Sequence, residues 1–251
     1  PTWPAQDVRE TLLQGFSMTH SRQRDPLGRA LELEWQRIKY GRSCATYEIL
    51  VQSDAIEDET MRAEYFFRDF NQMPMLEQQA LDLCRGRVLD VGAAAGCHAL
   101  VLQGRGLDVL ALDTSYGAVS VMQDRGLQAQ RRDFYTLDES IRFDTILVLM
   151  NGLGLAESLP RLPYFFKKLK SLLAKNGQVL VDSSDFGVDA KIFTEIYYQM
   201  RFQNLKSKIF SWLFLPFHEL AKHAHDAGLQ ADLLSNGESG AYLARLQVTS
   251  P

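Results

Sequence analysis

Asp90, Gly92 and Gly96 stand within GRVLDVGAAAGCH, residues 86–98, where an apolar run ends in a carboxylate and passes through a turn of small residues into a helix. A strand followed at once by such a turn and a helix N-terminus brings backbone N–H groups to the edge of a crevice, where a nucleotide-like ligand can come close. These residue types point to an adenosine-containing cofactor. A dinucleotide fingerprint, G-x-G-x-x-G, uses its second glycine to admit a pyrophosphate to the backbone. Counted from Gly92, that second position holds Ala94 and the third holds Cys97, so the pattern present is D-x-G-x-x-x-G. A carboxylate two residues before the first glycine would repel a pyrophosphate.

Other candidates sit at the ends of apolar runs. Asp113, with Thr114 beside it, closes DVLALD some twenty residues after the glycine turn, where an acidic side chain can accept both hydroxyls of a ribose. Asn151 follows FDTILVLM, at the edge where open α/β sheets present their ligands. As an amide it is a poor general base, and it either orients a ligand or only ends the strand in an Asn-Gly turn. Ser183-Ser184-Asp185 is a pocket edge or a turn. His98 can approach the cofactor or act in capping and packing. Cys97 has a helix N-terminus to lower its pKa but no base in view. HELAKH, residues 218–223, spaces its histidines five apart, on different helix faces, so no zinc site is expected.

The elements that position these residues fall into three parts. Residues 1–85 read as a mainly helical lobe around one strand: a helix through LGRALELEWQRIKYG opened by Asp25-Pro26, an extended ATYEILVQS, then helices over DETMRAEYFFRDF and MPMLEQQALDLC. From Gly86 short apolar runs alternate with helical stretches, the pattern of βαβ units. RVLDVG, DVLALD, LQAQRRD, FDTILVLMN and QVLVDSSD make five parallel strands. After a helix at FHELAKHAHDAG, LQADLL and AYLARLQV form an antiparallel hairpin around a Gly-containing loop. An insertion at about 186–216 mixes a helical run, VDAKIFTEIYYQM, with the strand-like RFQNLKSKIFSWLFL, and it completes a substrate lobe. The expected architecture is α/β, a Rossmann-like doubly wound sheet of seven strands, with domain boundaries at 1–85 and 86–251.

Composition narrows the function classes. A chain of 251 residues with 46% hydrophobic content can bury a full core. A net charge of −4 argues against nucleic acid as partner. Three scattered cysteines, Cys44, Cys84 and Cys97, provide neither a disulfide framework nor a zinc pair, and they suit a reducing, cytoplasmic compartment. No window approaches ~18 uninterrupted apolar residues and no signal sequence is recognised, so no membrane partner is expected.

Taken together, LDVGAAAG, ALDTS, RRDF, FDTILVLMNGLG, LLAKNGQVLVDSSD and GESGAYLARL resemble the class I S-adenosylmethionine (SAM) dependent methyltransferases. The likeness is greatest to a group of small bacterial enzymes with D-P-x-G near the start and M-N-G-x-G after the fourth strand, and it covers about residues 25–248. It implies SAM as cofactor, held by Asp90, Gly92, Ala93, Gly96 and His98 in the first motif and by Asp113 and Thr114 at the ribose. The resemblance further implies Asp133 and Phe134 at the adenine, and Met150 and Asn151 near the methyl donor. SAM carries no phosphate, so a carboxylate beside the loop is tolerable and favours its ammonium and sulfonium. No N-P-P-Y or D-P-P-Y follows the fourth strand, which sets aside the amino-methylating enzymes of DNA. The acceptor expected is a small molecule, met by aromatic and basic residues of the two outer segments: Tyr40, Tyr47, Tyr65, Phe66, Arg68, Tyr197, Tyr198 and Arg201, the arginines suiting an acidic substrate. Asn151 is the one catalytic candidate, no metal is expected, and the protein is a monomer or homodimer. Two other readings are a SAM-binding sensor without catalysis and an NAD-dependent oxidoreductase. Ala94, Cys97, the terminal hairpin and the lack of a well-placed Tyr-x-x-x-Lys pair count against the second.

Overall fold

The computed structural model describes residues 24–186 and 195–249. It opens with α1 (Pro26–Lys39), started by Pro26 in the first turn and capped by Asp25, whose Oδ1 accepts from Gly28 N at 2.8 Å. Two short strands follow, β1 (Glu48–Ser53) and β2 (Glu59–Arg62), then two 3-10 turns and α2 (Met75–Leu83). The central part alternates as expected: β3 (Arg87–Val91), α3 (Cys97–Gly104), β4 (Asp108–Asp113), α4 (Tyr116–Asp124), β5 (Ala129–Arg131), β6 (Phe143–Val148), α5 (Leu162–Leu172) and β7 (Leu173–Ser184). Then come β8 (Glu195–Phe202), β9 (Leu205–Lys206), β10 (Phe210–Leu213), α6 (Phe217–Asp226), β11 (Leu229–Asn236) and β12 (Ala241–Val248).

A seven-stranded sheet in the order β11-β12-β7-β6-β3-β4-β5 forms the centre. β5, β4, β3, β6 and β7 pair in parallel, and β12 is inserted antiparallel between β11 and β7. Side chains alternate across a strand, so each strand serves two cores. Leu89, Leu110, Ile146 and Val179 pack with Phe165 and Phe166 of α5 and Leu220 of α6. Their neighbours Val88, Val109, Leu147 and Leu180 pack with Leu81, Leu102 and Met122 of the opposite helical layer. The strand order reverses between β3 and β6, which opens a crevice at their C-terminal ends.

A second, antiparallel sheet departs from the sequence expectation. β1 and β2 pair with each other, β1 also pairs with β8, and β8 with β10, so the segment before the central sheet and the one inserted between its strands β7 and β11 become one layer. The helix expected over DETMRAEYFFRDF is β2 followed by a 3-10 turn at Ala63–Phe67, because pairing of Glu59–Arg62 with β1 overrides local helical patterning. The helical run expected over VDAKIFTEIYYQM falls partly outside the described residues, and its described part, Glu195–Met200, is strand. Ile196, Tyr198, Met200 and Phe202 alternate with period two, a signal that favoured a strand from the start.

Asp25 and Gly28, the D-P-x-G segment, fasten this layer to the central sheet. Asp25 Oδ2 accepts from Ser115 Oγ at 2.7 Å and from Gly117 N at 3.3 Å, so one buried carboxylate caps both α1 and α4. A Cβ at Gly28 would run into Ser115 Oγ, and one at Gly117 into the Gly28 backbone, so the two helices cross where neither has a side chain. Lys39 Nζ meets Asp124 at 2.6 Å, so α1 runs parallel to α4 along its length.

Candidate active site

The turn after β3 is held by its own N–H groups. Gly92 N and Ala93 N both donate to Leu112 O at 2.9 Å, Ala94 N donates to Asp113 Oδ2 at 2.9 Å, and Gly96 N donates to Ala93 O at 2.7 Å. The sequence expectation that these donors face the crevice is therefore corrected at four positions. A turn with its donors engaged inside the fold, and a carboxylate among their acceptors, offers a pyrophosphate little; it fits a cofactor without phosphates. Gly92, Ala94 and Gly96 all have positive φ, at 73°, 48° and 77°. The two glycines differ in what surrounds them. A Cβ on Gly96 would run into Leu127 Cδ1, whereas a Cβ on Gly92 would meet only Leu155 Cδ1, at 3.6 Å. Gly92 thus leaves open a cradle that a side chain would fill. Ala93 is buried behind it.

Two carboxylates border that cradle. Asp113, at the end of β4, accepts from Ala94 N through Oδ2 and from Ser115 N through Oδ1 at 2.8 Å, tying the β3 turn to the start of α4. Thr114 lies half-buried between them. Asp90 is buried at the end of β3, and its Oδ2 has no hydrogen-bond partner. Burial raises the Asp90 carboxyl to about 6; His98 works against the rise and Asp113 adds to it.

Behind Asp90 lies a buried ionic chain. Glu77 of α2 accepts from Arg68 Nη2 through both oxygens, at 3.1 and 2.9 Å, and lies 2.7 Å from His98 Nε2. Burial alone would raise Glu77, but His98 and Arg68 outweigh it and hold the carboxyl below its ordinary value. Burial would lower His98, but the hydrogen bond to Glu77 and the charge of Asp90 raise it. His98 thus meets Glu77 from the first turn of α3, and Arg68 is engaged by Glu77 and by the Tyr65 carbonyl at 2.7 Å. The Arg68 guanidinium carbon lies 3.5 Å from the Tyr65 ring centroid. Burial keeps the Cys97 thiol up at about 12, against the lowering expected from the helix N-terminus alone.

The loop after β6 forms the opposite wall. Met150 and Asn151 take consecutive positive φ angles, 67° and 55°. Asp182 of β7 explains how they are held: its oxygens accept from Met150 N at 3.1 Å and Gly152 N at 2.8 Å. Burial raises the Asp182 carboxyl to about 6, against the lowering effect of the Gly152 and Asn151 backbone. Ser184 Oγ donates to Asn151 Oδ1 at 2.7 Å, and Trp212 Nε1 of β10 donates to Asn151 O at 2.9 Å. A Cβ on Gly154 would run into the Trp212 indole, so the ring lies directly on this loop. Sequence reasoning passed over Asp182 and Trp212, although an acid inside the apolar run QVLVD was a signal.

Asp133 caps a 3-10 turn by accepting from Tyr135 N at 3.0 Å. Phe134 is buried against Phe165, with ring centroids 5.7 Å apart, so its side chain belongs to the core. Glu157 has φ 67° and ψ −49°, and Ser158 N donates to Ala156 O at 2.8 Å across it, the geometry of a strained γ-turn. Burial pushes its carboxyl up to about 7 despite Arg161 at 3.0 Å, with Asp133 adding to the rise.

The aromatic and basic candidates are distributed unevenly. Tyr40 follows the C-terminal end of α1, at the far end of α4 from the crevice, and is 65% exposed. Tyr65 lies beside Arg68, Tyr47 packs edge-on to Phe202, and Phe66 is buried in the cluster under α1. On β8, Tyr197 and Arg201 occupy one face, and Tyr198 occupies the other with Met200. Among the described residues no group of His, Cys, Asp and Glu could hold a metal ion, and no helix is long and apolar enough to cross a membrane.

Residues 59–234 match a family model described as a methyltransferase domain. A SAM-dependent methyltransferase from Bacteroides fragilis, crystallised with S-adenosyl-L-homocysteine (SAH), is similar at 35% identity over 92% of this chain and 97% of that one, with a TM-score of 0.84. The fold is shared with the CcbJ methyltransferase from Streptomyces caelestis at 14% identity, 71% and 91% coverage and a TM-score of 0.59. A DhpI–SAH complex shares it at 18% identity, 90% and 98% coverage and a TM-score of 0.58. No curated protein matches the chain.

Proposed function

The chain belongs to the class I SAM-dependent methyltransferases, and from that premise we propose that it transfers a methyl group from SAM to a small-molecule acceptor enclosed between the β3 and β6 loops and the second sheet. The observation that carries the placement of the cofactor is the turn at Gly92, open above the glycine, with its donors engaged internally and two carboxylates at its border. When bound, SAM supplies a methyl group on a sulfonium, which passes in line to the acceptor while the sulfur keeps the bonding pair. Everything else is alignment and exclusion of water by the protein, for which effective molarities on the order of 10⁵ M are attainable.

In this reading Asp113 accepts the ribose hydroxyls beside Thr114, on the same carboxylate that tethers Ala94 and Ser115. Gly92, Ala93 and Gly96 shape the cradle, and Asp90 faces the amino acid end, with His98 and Glu77 fixing its surroundings from behind. Asp133 and the backbone at Phe134 border the adenine. Met150 and Asn151 border the methyl group, and the Ser184 bond to Asn151 Oδ1 leaves its Nδ2 as the donor offered to a ligand. Of the substrate candidates, Tyr65 and Arg68 serve through the ionic chain, and Tyr40, Tyr197 and Arg201 stand farther out. Free Cys44, Cys84 and Cys97 support a reducing, cytoplasmic setting. Titration calorimetry tests the cofactor site: SAH should bind and NAD should not, and Asp113→Ala should weaken SAH by about 1–3 kcal/mol. Unchanged SAH affinity in that variant would overturn the assignment.

A further inference from the structure

The second sheet spans the crevice, and its register decides which side chains look into it. At one end Ile49 of β1 and Phe202 of β8 pack in a single cluster with Ala94 and Ala95 of the β3 turn. At the other end Trp212 of β10 bonds Asn151 and lies on Gly154 of the β6 loop. β8 runs from one anchor to the other, because Trp212 pairs with Ile196 and Leu50 with Arg201 just before Phe202. Residues two apart share a face. Met200 and Tyr198 therefore lie on the anchored face, between the two loops that border the cofactor. Val51 is opposite Met200, Phe210 is opposite Tyr198, and Met150 joins the same cluster from the β6 loop. All five are half-buried, neither sealed in a core nor fully open. Tyr198 and Phe210 have ring centroids 6.0 Å apart, and Phe210 stands edge-on to Trp212 at 6.1 Å.

We propose that Tyr198, Phe210, Met200, Val51 and Met150 form the acceptor subsite, and that the acceptor is an aromatic molecule without negative charge, in which a lone pair of a ring hydroxyl or amine forms the new bond to the methyl carbon as the carbon–sulfur bond of SAM breaks, and the O–H or N–H proton passes to solvent. This rests on the cofactor site assigned above. An apolar wall with two aromatic rings rewards a planar apolar body through burial and edge or offset stacking. The charges on this wall do not favour an anion: Arg201 is on the other face, Arg68 belongs to the buried ionic chain with Glu77 and is not one of these five residues, and Glu59, whose strand position is opposite Val51, adds negative charge near Tyr198. The acidic substrate suggested by the arginines in the sequence is replaced by an uncharged one.

Ligand-observed NMR on protein saturated with SAH tests this, using a fragment set in which each uncharged phenol or aniline is matched by its ring carboxylate and by an acyclic alcohol or amine. Uncharged aromatics should bind at least tenfold more often than either matched group. Their signals should be lost with Tyr198→Ala and with Phe210→Ala and kept with Tyr197→Ala on the outer face. SAH affinity should stay within about threefold in all three variants, which shows that they remain folded. Absence of aromatic binders, equal binding by the carboxylates, or binders indifferent to both inner-face variants would overturn the subsite. Failure of the wild-type protein to bind SAH would instead overturn the cofactor reading beneath it.

Discussion

Gly92 and Gly96 both adopt left-handed backbone angles, yet their surroundings give them different duties. Gly92→Val meets no close protein atom beyond Leu155, so its effect falls on the cradle: SAH affinity should drop at least tenfold in calorimetry while urea denaturation shows a loss of about 1–2 kcal/mol from backbone strain. Gly96→Val drives a side chain into Leu127 and Met122, so it should lower stability further, by overpacking worth about 1–3 kcal/mol more. Asp182 carries a pH signature. Its folded carboxyl titrates near 6, above its ordinary value of 3.8, so the neutral form is the one favoured by folding. That contribution is present below the ordinary value and is lost as pH rises through about 6. Asp182→Asn should flatten this part of the stability profile, recovering on the order of 2 kcal/mol relative to wild type between pH 4 and pH 7 in urea titrations. An unaltered slope would mean that the carboxylate is not the group responsible. Asp113, Asp90 and Asn151 were legible as candidates because each ends an apolar run. Asp182 was passed over because its role depends on N–H groups of a different strand's loop.

At the scale of elements, the glycine-turn strand, its parallel neighbours and the final hairpin were all readable, since period-two and helical patterns are local and the connecting turns carry their own signals. The second sheet was not. Its strands come from segments far apart in the chain, and β2 is too short to show a pattern of its own before pairing with β1 supplies the reason to be extended. The alternation within Glu195–Phe202 signals a strand, but most of it lies inside VDAKIFTEIYYQM, whose spacing also fits a helix. Gly154 is where the two layers touch, under the Trp212 indole. Gly154→Ala should lift Trp212 from the β6 loop, and hydrogen exchange should then accelerate in β10 and at Asn151–Gly152 while β3 and β4 keep their protection. Acceleration spread evenly over both sheets would show that Trp212 does not hold the layer locally.

For the whole molecule, docking of the second layer and ligand binding should report on one another. Asp25→Ala removes the acceptor for Gly28, Ser115 and Gly117 at once, and global stability should fall by about 1–3 kcal/mol. Saturation with SAH at a hundred times its Kd should add about 2.7 kcal/mol to the wild-type protein, seen as a higher Tm. The gain should be smaller in the variant at the same SAH concentration, because α4 begins beside Asp113 and its cap is shared with α1. Equal gains would separate the N-terminal layer from the cofactor site.

The sequence by itself determined the methyl donor and the central sheet, because a turn that needs positive φ, a carboxylate at a strand end and the periodicity of a strand are written within a few neighbouring residues. The tertiary structure decided what the crevice presents to an acceptor. Which face of β8 looks inward, whether an arginine is available or already paired, and whether the turn's N–H groups reach a ligand or the next strand all depend on partners distant in the chain. A shift of one residue in strand register exchanges Tyr198 for Tyr197, and only pairing with β1 and β10 chooses between them.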